Sequence, residues 1–274
     1  LYEQFLNDSI SATVSSDYFF GGYAEQLLGK NTSLTLTELN NSISNFYFDS
    51  EYTDKTSCDS IQYAYVSCPD SADENEKNLL VKFMGLDIYT QDDSSYTVII
   101  LTENNNQLYI TGWYECWARS ETTAYENGIL SGFGSSGAGD HGADLSVILS
   151  DGKVAPIYNA EILSGQWTSY VNESIYNDVI DENTVPPNLI VSVYTIGDEK
   201  YYQYDMSECG EEEKPLCEEY IDRCRDEAGI NWVSEEEIQT AIQNQCTAVG
   251  MDYSTVDQWE ETKWNELSLP SKNL

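Results

Sequence analysis

A chain of 274 residues with 48 acidic and 12 basic side chains, formally −36, repels nucleic acid and anionic membrane, since both require Lys or Arg to neutralise phosphate. Its 21 Tyr, 6 Trp and 7 Phe make the apolar supply aromatic, which excludes an acidic disordered tail and predicts a folded core. No run approaches the roughly 18–20 apolar residues of a membrane span, so no transmembrane segment is expected.

The charge favours cationic partners and divalent metals, and it fits either an extracellular or cell-surface protein or a salt-adapted proteome. The chain opens on Leu1-Tyr2-Glu3 without initiator Met or signal peptide, which reads as a mature chain whose export segment is gone. A lost lipid-anchor segment fits the same opening.

In chain order, Leu1 to Val14 places Leu1/Tyr2, Phe5/Leu6 and Ile10 at helical spacing, predicting a short amphipathic helix. Tyr18 to Tyr23, with Gly21-Gly22, reads as a loop or bend. Thr37 to Phe48 predicts a second helix, capped by Thr35 or Thr37, with Leu36, Leu39, Ile43 and Phe46 on one side. From Ser60 the period drops to two: Ile61, Tyr63 and Tyr65 mark one strand and Asn78 to Ile88 another.

Tyr96–Thr102 and Gln107–Trp117 flank the polar turn Glu103-Asn104-Asn105-Asn106. Leu145–Leu149 and Val154–Tyr158 flank Ser150-Asp151-Gly152-Lys153, whose Asp-Gly is the strongest hairpin signal in the chain. Leu189–Ile196 and Lys200–Tyr204 form a third pair about Gly197-Asp198-Glu199. The middle therefore predicts an antiparallel meander. After Met206 the texture turns helical: Glu211 to Glu227 with Pro215 near its start, then the capping box Ser234-Glu235-Glu236-Glu237 stopped by Gly250, then Ser254 to Leu267. The expected fold is α+β, an antiparallel β-meander with an N-terminal helical segment. The expected domains are 1–206 with the sheet and a helical subdomain, 207–274, stapled by disulfides.

Cysteines occur at 58, 68, 116, 209, 217, 224 and 246 with no C-x-x-C pair, and one His cannot complete a finger-type zinc site. Disulfides and an oxidising compartment fit better, with one thiol left over and the connectivity open.

Two stretches could carry function. On the strand Gln107–Trp117, alternation puts Tyr109, Trp113 and Trp117 on one face with Thr111 and Glu115, leaving Leu108, Ile110, Tyr114 and Cys116 on the other. Rings interleaved with a carboxylate suit a sugar platform, because ring faces stack and acids accept hydroxyl bonds. A sheet covered on both faces would instead bury these rings as core.

The second stretch is Gly132 to Gly142, a glycine-rich loop holding Asp140 and His141, the only His, below Ser135 and Ser136. It invites a hydrolase site, but the nucleophile elbow G-x-S-x-G is missed and an untethered loop cannot hold attack geometry. The acidic run Asp70, Asp73, Glu74 and Glu76 offers candidate Ca²⁺ ligands, as do Asp87, Asp92 and Asp93, although charge runs are commonly solvated faces.

Several stretches are similar to acidic secreted or surface proteins of anaerobic Gram-positive gut bacteria, a group of uncharacterised function. They are Tyr2 to Asn7, Leu86-Asp87-Ile88-Tyr89, Tyr114 to Ser120 and Ser136 to His141. The resemblance spans roughly residues 1–165 and implies export. The turn Cys68 to Leu80 lacks that group's glycines, which weakens an inherited calcium site. The leading expectation is a secreted or cell-surface binding or adhesion module with carbohydrate or a surface protein as partner. The alternatives are an extracellular hydrolase at loop 132–142 and a structural surface or appendage subunit.

Overall fold

The structure, a computed structural model, describes residues 1–15, 27–48, 57–86, 95–116, 119–135, 140–164, 186–253 and 259–267, without the side chains of 140, 163 and 164. The sequence readings at Tyr18–Tyr23, Asp87, Asp92, Asp93, Trp117, 136–139 and 254–258 lie outside the described residues.

The elements are α1 (Tyr2–Leu6), β1 (Ala12–Val14), β2 (Ser33–Leu34), α2 (Leu36–Phe48), β3 (Ser60–Ser67), β4 (Lys77–Met84), β5 (Tyr96–Asn104), β6 (Gln107–Cys116), β7 (Ser120–Ala124), β8 (Ile129–Ser135), β9 (Asp140–Ile148), β10 (Val154–Ser164), β11 (Ile190–Ile196), β12 (Glu199–Asp205), α3 (Lys214–Ala228), α4 (Glu235–Ala248) and β13 (Asn265–Leu267). The fold is α+β, with one sheet in the order β13-β3-β4-β5-β6-β1-β2 and a second in the order β12-β11-β10-β9-β8-β7. Pairing is antiparallel along β3 to β6, while β1 joins β6 in parallel. Among the described residues no helix is long and apolar enough to cross a membrane.

Packing divides the chain into two units, one of residues 1–130, 146–155 and 250–274, the other of residues 131–145 and 156–249. This differs from a boundary at 206. Strand residues Leu189, Val191 and Val193 share one core with the apolar face of the first C-terminal helix.

In the first unit the central strands lose the half-buried alternation. Leu79, Val81 and Phe83 of β4, with Ile99 and Leu101 of β5, join one core with Phe5, Leu36, Leu39 and Ile43 from the helices. Leu80, Val98 and Ile100, pointing the other way, join a second core with Ala124, Leu130, Ile148 and Val154. Strands buried on both faces read as unbroken apolar runs, as Val98-Ile99-Ile100-Leu101 does. Each such side chain taken fully from water contributes about 1.5–3 kcal/mol.

Local chemistry sets the ends. α2 starts at a reciprocal cap: the Thr35 amide donates to Glu38 at 2.9 Å and the Glu38 amide to Thr35 Oγ1 at 3.3 Å. α1 is shorter than the predicted helix over 1–14 because Asp8 takes the left-handed conformation, φ 60°. Thr13 and Val14, β-branched and strand-favouring, then pair with Tyr109 and Ile110. At the Asp-Gly turn, Gly152 has φ +83°, and a Cβ there would lie 2.3 Å from Thr102 Oγ1, so only glycine fits.

The predicted last helix is overturned over residues 259–267. The Thr262 amide donates to Ala124 O and the Glu126 amide to Glu260 O, and Asn265 to Leu267 pair with Tyr63 to Ile61 of β3. An open sheet edge offers a row of backbone bonds that this segment satisfies. Trp264 packs on the second core, with Lys82 Nζ 5.0 Å from its ring and 3.7 Å from that of Tyr96.

In the second unit, Leu189, Val191 and Val193 pack against Cys217, Tyr220, Ile221 and Cys224 of α3. Pro215 lies in the first turn of α3 and Gly229 ends it left-handed. Ser234 and Glu237 complete the expected capping box on α4. All seven cysteines are thiols in this structure, and five of them, at 68, 209, 217, 224 and 246, are buried. Cys58 Sγ bonds Asn40 Oδ1 at 3.2 Å, and Cys68 Sγ accepts from Asn78 Nδ2 at 3.3 Å.

Candidate functional site

The aromatic row on β6 is divided by a bulge. Ile100 pairs with Gly112 but Leu101 pairs with Ile110, so Thr111 has no partner and the side-chain alternation reverses there. Trp113 consequently shares the core of Leu108 and Ile110, the face opposite to the one that simple alternation assigns it, and is 4% exposed. Its Nε1 donates to Glu115 Oε1 at 3.0 Å, and the Tyr47 hydroxyl donates to the same carboxylate oxygen. Burial first, and that carboxylate second, push the Tyr47 hydroxyl well above its ordinary range. Trp113 and Glu115 therefore face a helix, and their polar groups bond each other. Tyr109, half-buried, donates its hydroxyl to Gln107 at 2.6 Å.

The described parts of the glycine-rich stretch are strand rather than loop, on neighbours in the second sheet. β8 and β9 take up Gly132, Gly134 and Gly142. Gly132 lets Asp144 lie over the strand: a Cβ there would come 2.1 Å from Asp144 Oδ1. Desolvation in that position raises the Asp144 carboxyl above the usual carboxylate range. His141 stacks on Phe133 with centroids 5.8 Å apart and planes 16° from parallel, and among the described residues its Nδ1 has no hydrogen-bond partner. A general base needs a group to orient its ring, and here an apolar ring does so. Asp140 opens β9.

The acidic run is tied into turns. Asp70 accepts from the Ser150 amide and hydroxyl, each at 2.8 Å, and Asp73 from the Asn75 amide at 2.9 Å. The Ser71 hydroxyl donates to Glu76. Among the described residues, Glu74 included, no group of three His, Cys, Asp or Glu could hold a metal ion.

Sequence reasoning did not find a groove among the described residues of the first unit. A groove of about 580 Å³ is lined by Tyr2, Tyr65, Asn75, Glu76, Lys77, Glu103, Asn105 and Asn106, with Thr102 and Ser150. It lies within the 300–1,000 Å³ of common ligand sites. The Tyr2 and Tyr65 rings are 5.8 Å apart and tilted by 57°. Their hydroxyls are already bonded: Tyr2 donates to Lys77 O at 2.8 Å and accepts from the Glu103 amide at 3.0 Å, and Tyr65 donates to Glu3 at 2.8 Å. Desolvation raises both hydroxyls above their ordinary range. The rings are thus fixed in place, with Tyr65 36% exposed.

Asn105 and Asn106, with φ 52° and 58°, form the β5–β6 turn. Asn106 also borders a second groove of about 620 Å³, lined by Ser9, Ser11, Thr13, Ser33, Thr35 and Gln107 among others. The local sequence signal was the Asn-Asn turn, because Tyr2 and Tyr65 lie far apart in the chain. Compared with protein-family models, curated proteins and solved structures, the chain has no match.

Proposed function

We propose that this chain is a secreted or cell-surface binding module and that the grooves meeting at Asn106 take a neutral carbohydrate. The observation that carries this reading is the lining of the first groove. It combines fixed, partly exposed tyrosine rings with Asn75, Asn105 and Asn106, whose amides both donate and accept, and with the acceptors Glu76 and Glu103. A sugar presents apolar C–H faces for rings and hydroxyls that need both kinds of hydrogen-bond partner.

Charge narrows the class. A formal −36 disfavours anionic polymers, and Lys77, the only basic group among the described lining residues, already donates to Ser67 Oγ at 2.6 Å. The shared Asn106 suits an extended ligand of several sugar units. The acidic surface and the resemblance to exported proteins support the location.

The test is binding to arrayed neutral oligosaccharides, followed by titration calorimetry of the best ligand. Tyr65→Ala and Asn106→Ala should each weaken binding by roughly tenfold or more, as for loss of a stacking ring or a bidentate amide worth about 1.4 kcal/mol. Trp113, in the core, is the wrong residue to test for stacking. Affinity unchanged in both variants, with folding intact by circular dichroism, would remove this proposal.

A further inference from the structure

The second unit holds two thiols in contact. Cys209 and Cys217 have their sulfur atoms 3.0 Å apart, closer than two unbonded sulfurs rest, and both residues are buried. We infer that Cys209 and Cys217 are a disulfide-forming pair, a covalent modification site that ties the segment after β12 to the first turns of α3.

The backbone between them is already set. The Cys209 amide donates to Met206 O, the Glu213 amide to Gly210 O, and the Cys217 amide to Glu213 O. Glu213 draws the loop tighter, accepting from the Gly210 amide at 2.9 Å and from Asn188 Nδ2 at 2.7 Å. Both sulfurs lie in the core of Leu189, Val191 and Tyr220, which fixes their side chains by packing. Closing to a bond of about 2.05 Å needs an approach of only about 1 Å.

The chemistry balances with a small-molecule disulfide such as oxidised glutathione. One cysteine loses its proton, and its thiolate attacks a glutathione sulfur, expelling one glutathione thiolate. The other cysteine, deprotonated in turn, attacks the mixed disulfide at the protein sulfur and expels the second. Two S–H protons leave, one S–S bond forms, and one disulfide is reduced to two glutathiones. Burial pushes the Cys217 thiol up to about 12, and the adjoining Cys209 adds to the shift. The bond therefore forms most readily while the chain is still folding and the thiols can ionise. The other buried thiols of this unit, Cys224 and Cys246, are on the helices themselves.

The inference is independent of the grooves in the first unit. The full chain is reduced, unfolded and refolded in a glutathione redox buffer, then alkylated and mapped by mass spectrometry without reduction. The expected product has lost two hydrogens and yields a cross-linked peptide joining Cys209 to Cys217. Cys224→Ser and Cys246→Ser keep that product, whereas Cys209→Ser and Cys217→Ser lose it. If either of the last two fails to fold, the wild-type map still decides. Complete alkylation of both residues, or a bridge from either to another cysteine, overturns the inference.

Discussion

The β6 strand and the β8–β9 pair each carry aromatic and acidic residues in a pattern that resembles a site, and they use them in opposite ways. On β6 the bulge at Thr111 turns Trp113 into the core, and Glu115 becomes the shared acceptor of its indole and of Tyr47. On the β8–β9 pair, the missing side chain of Gly132 admits the Asp144 carboxyl instead, while Phe133 stays 55% exposed beneath His141. Hydrophobic burial places the polar group in the first region. In the second, empty space at a glycine does so. A ring beside a carboxylate thus marks a binding surface only where water reaches it.

The largest expected effect comes from Trp113→Ala. Removing a core indole should cost about 3–5 kcal/mol in urea unfolding. A loss below about 1 kcal/mol would mean that the ring is not packed as described and would return it to the list of stacking residues. Glu115→Ala comes next. It leaves the Trp113 indole without its acceptor and the Tyr47 hydroxyl with Thr97 alone, at about 1–3 kcal/mol. Adding Tyr47→Phe should then recover part of that loss, and strict additivity would break the shared-acceptor account.

The smallest effect is a pH slope from β9. The folded state raises the Asp144 carboxyl above its unfolded value. Its favourable contribution is therefore present at acid pH, below the unfolded value, and is lost as pH rises through the folded one. Relative to Asp144→Asn, the wild type should lose stability as pH climbs from the ordinary carboxylate range. Urea midpoints for the two proteins that run parallel across pH would show that Asp144 is not desolvated.

Much of the fold was legible. The hairpins at Asn105-Asn106, Asp151-Gly152 and Asp198, the α3 and α4 helices, and the Ser234–Glu237 box follow from turn chemistry and capping, which act within a few residues. The candidate sites were less legible. Parity along β6 failed at one unpaired residue, and period-two reasoning cannot see a bulge that a partner strand imposes. The five glycines from 132 to 142 read as a loop, yet a strand tolerates one at 132, where a facing carboxylate occupies the space. The Tyr2/Tyr65 groove joins residues far apart in the chain, which no local window reports.

By itself, then, the sequence determined the excess acid, the α+β class, the capped helices and the tight turns, because each is set by composition or by neighbours along the chain. Only tertiary structure decided that Trp113 is core, that residues 265–267 close a sheet edge instead of continuing a helix, and that Cys209 meets Cys217. Those outcomes depend on which surfaces compete for burial and which backbone groups still need partners, and both are settled between distant segments.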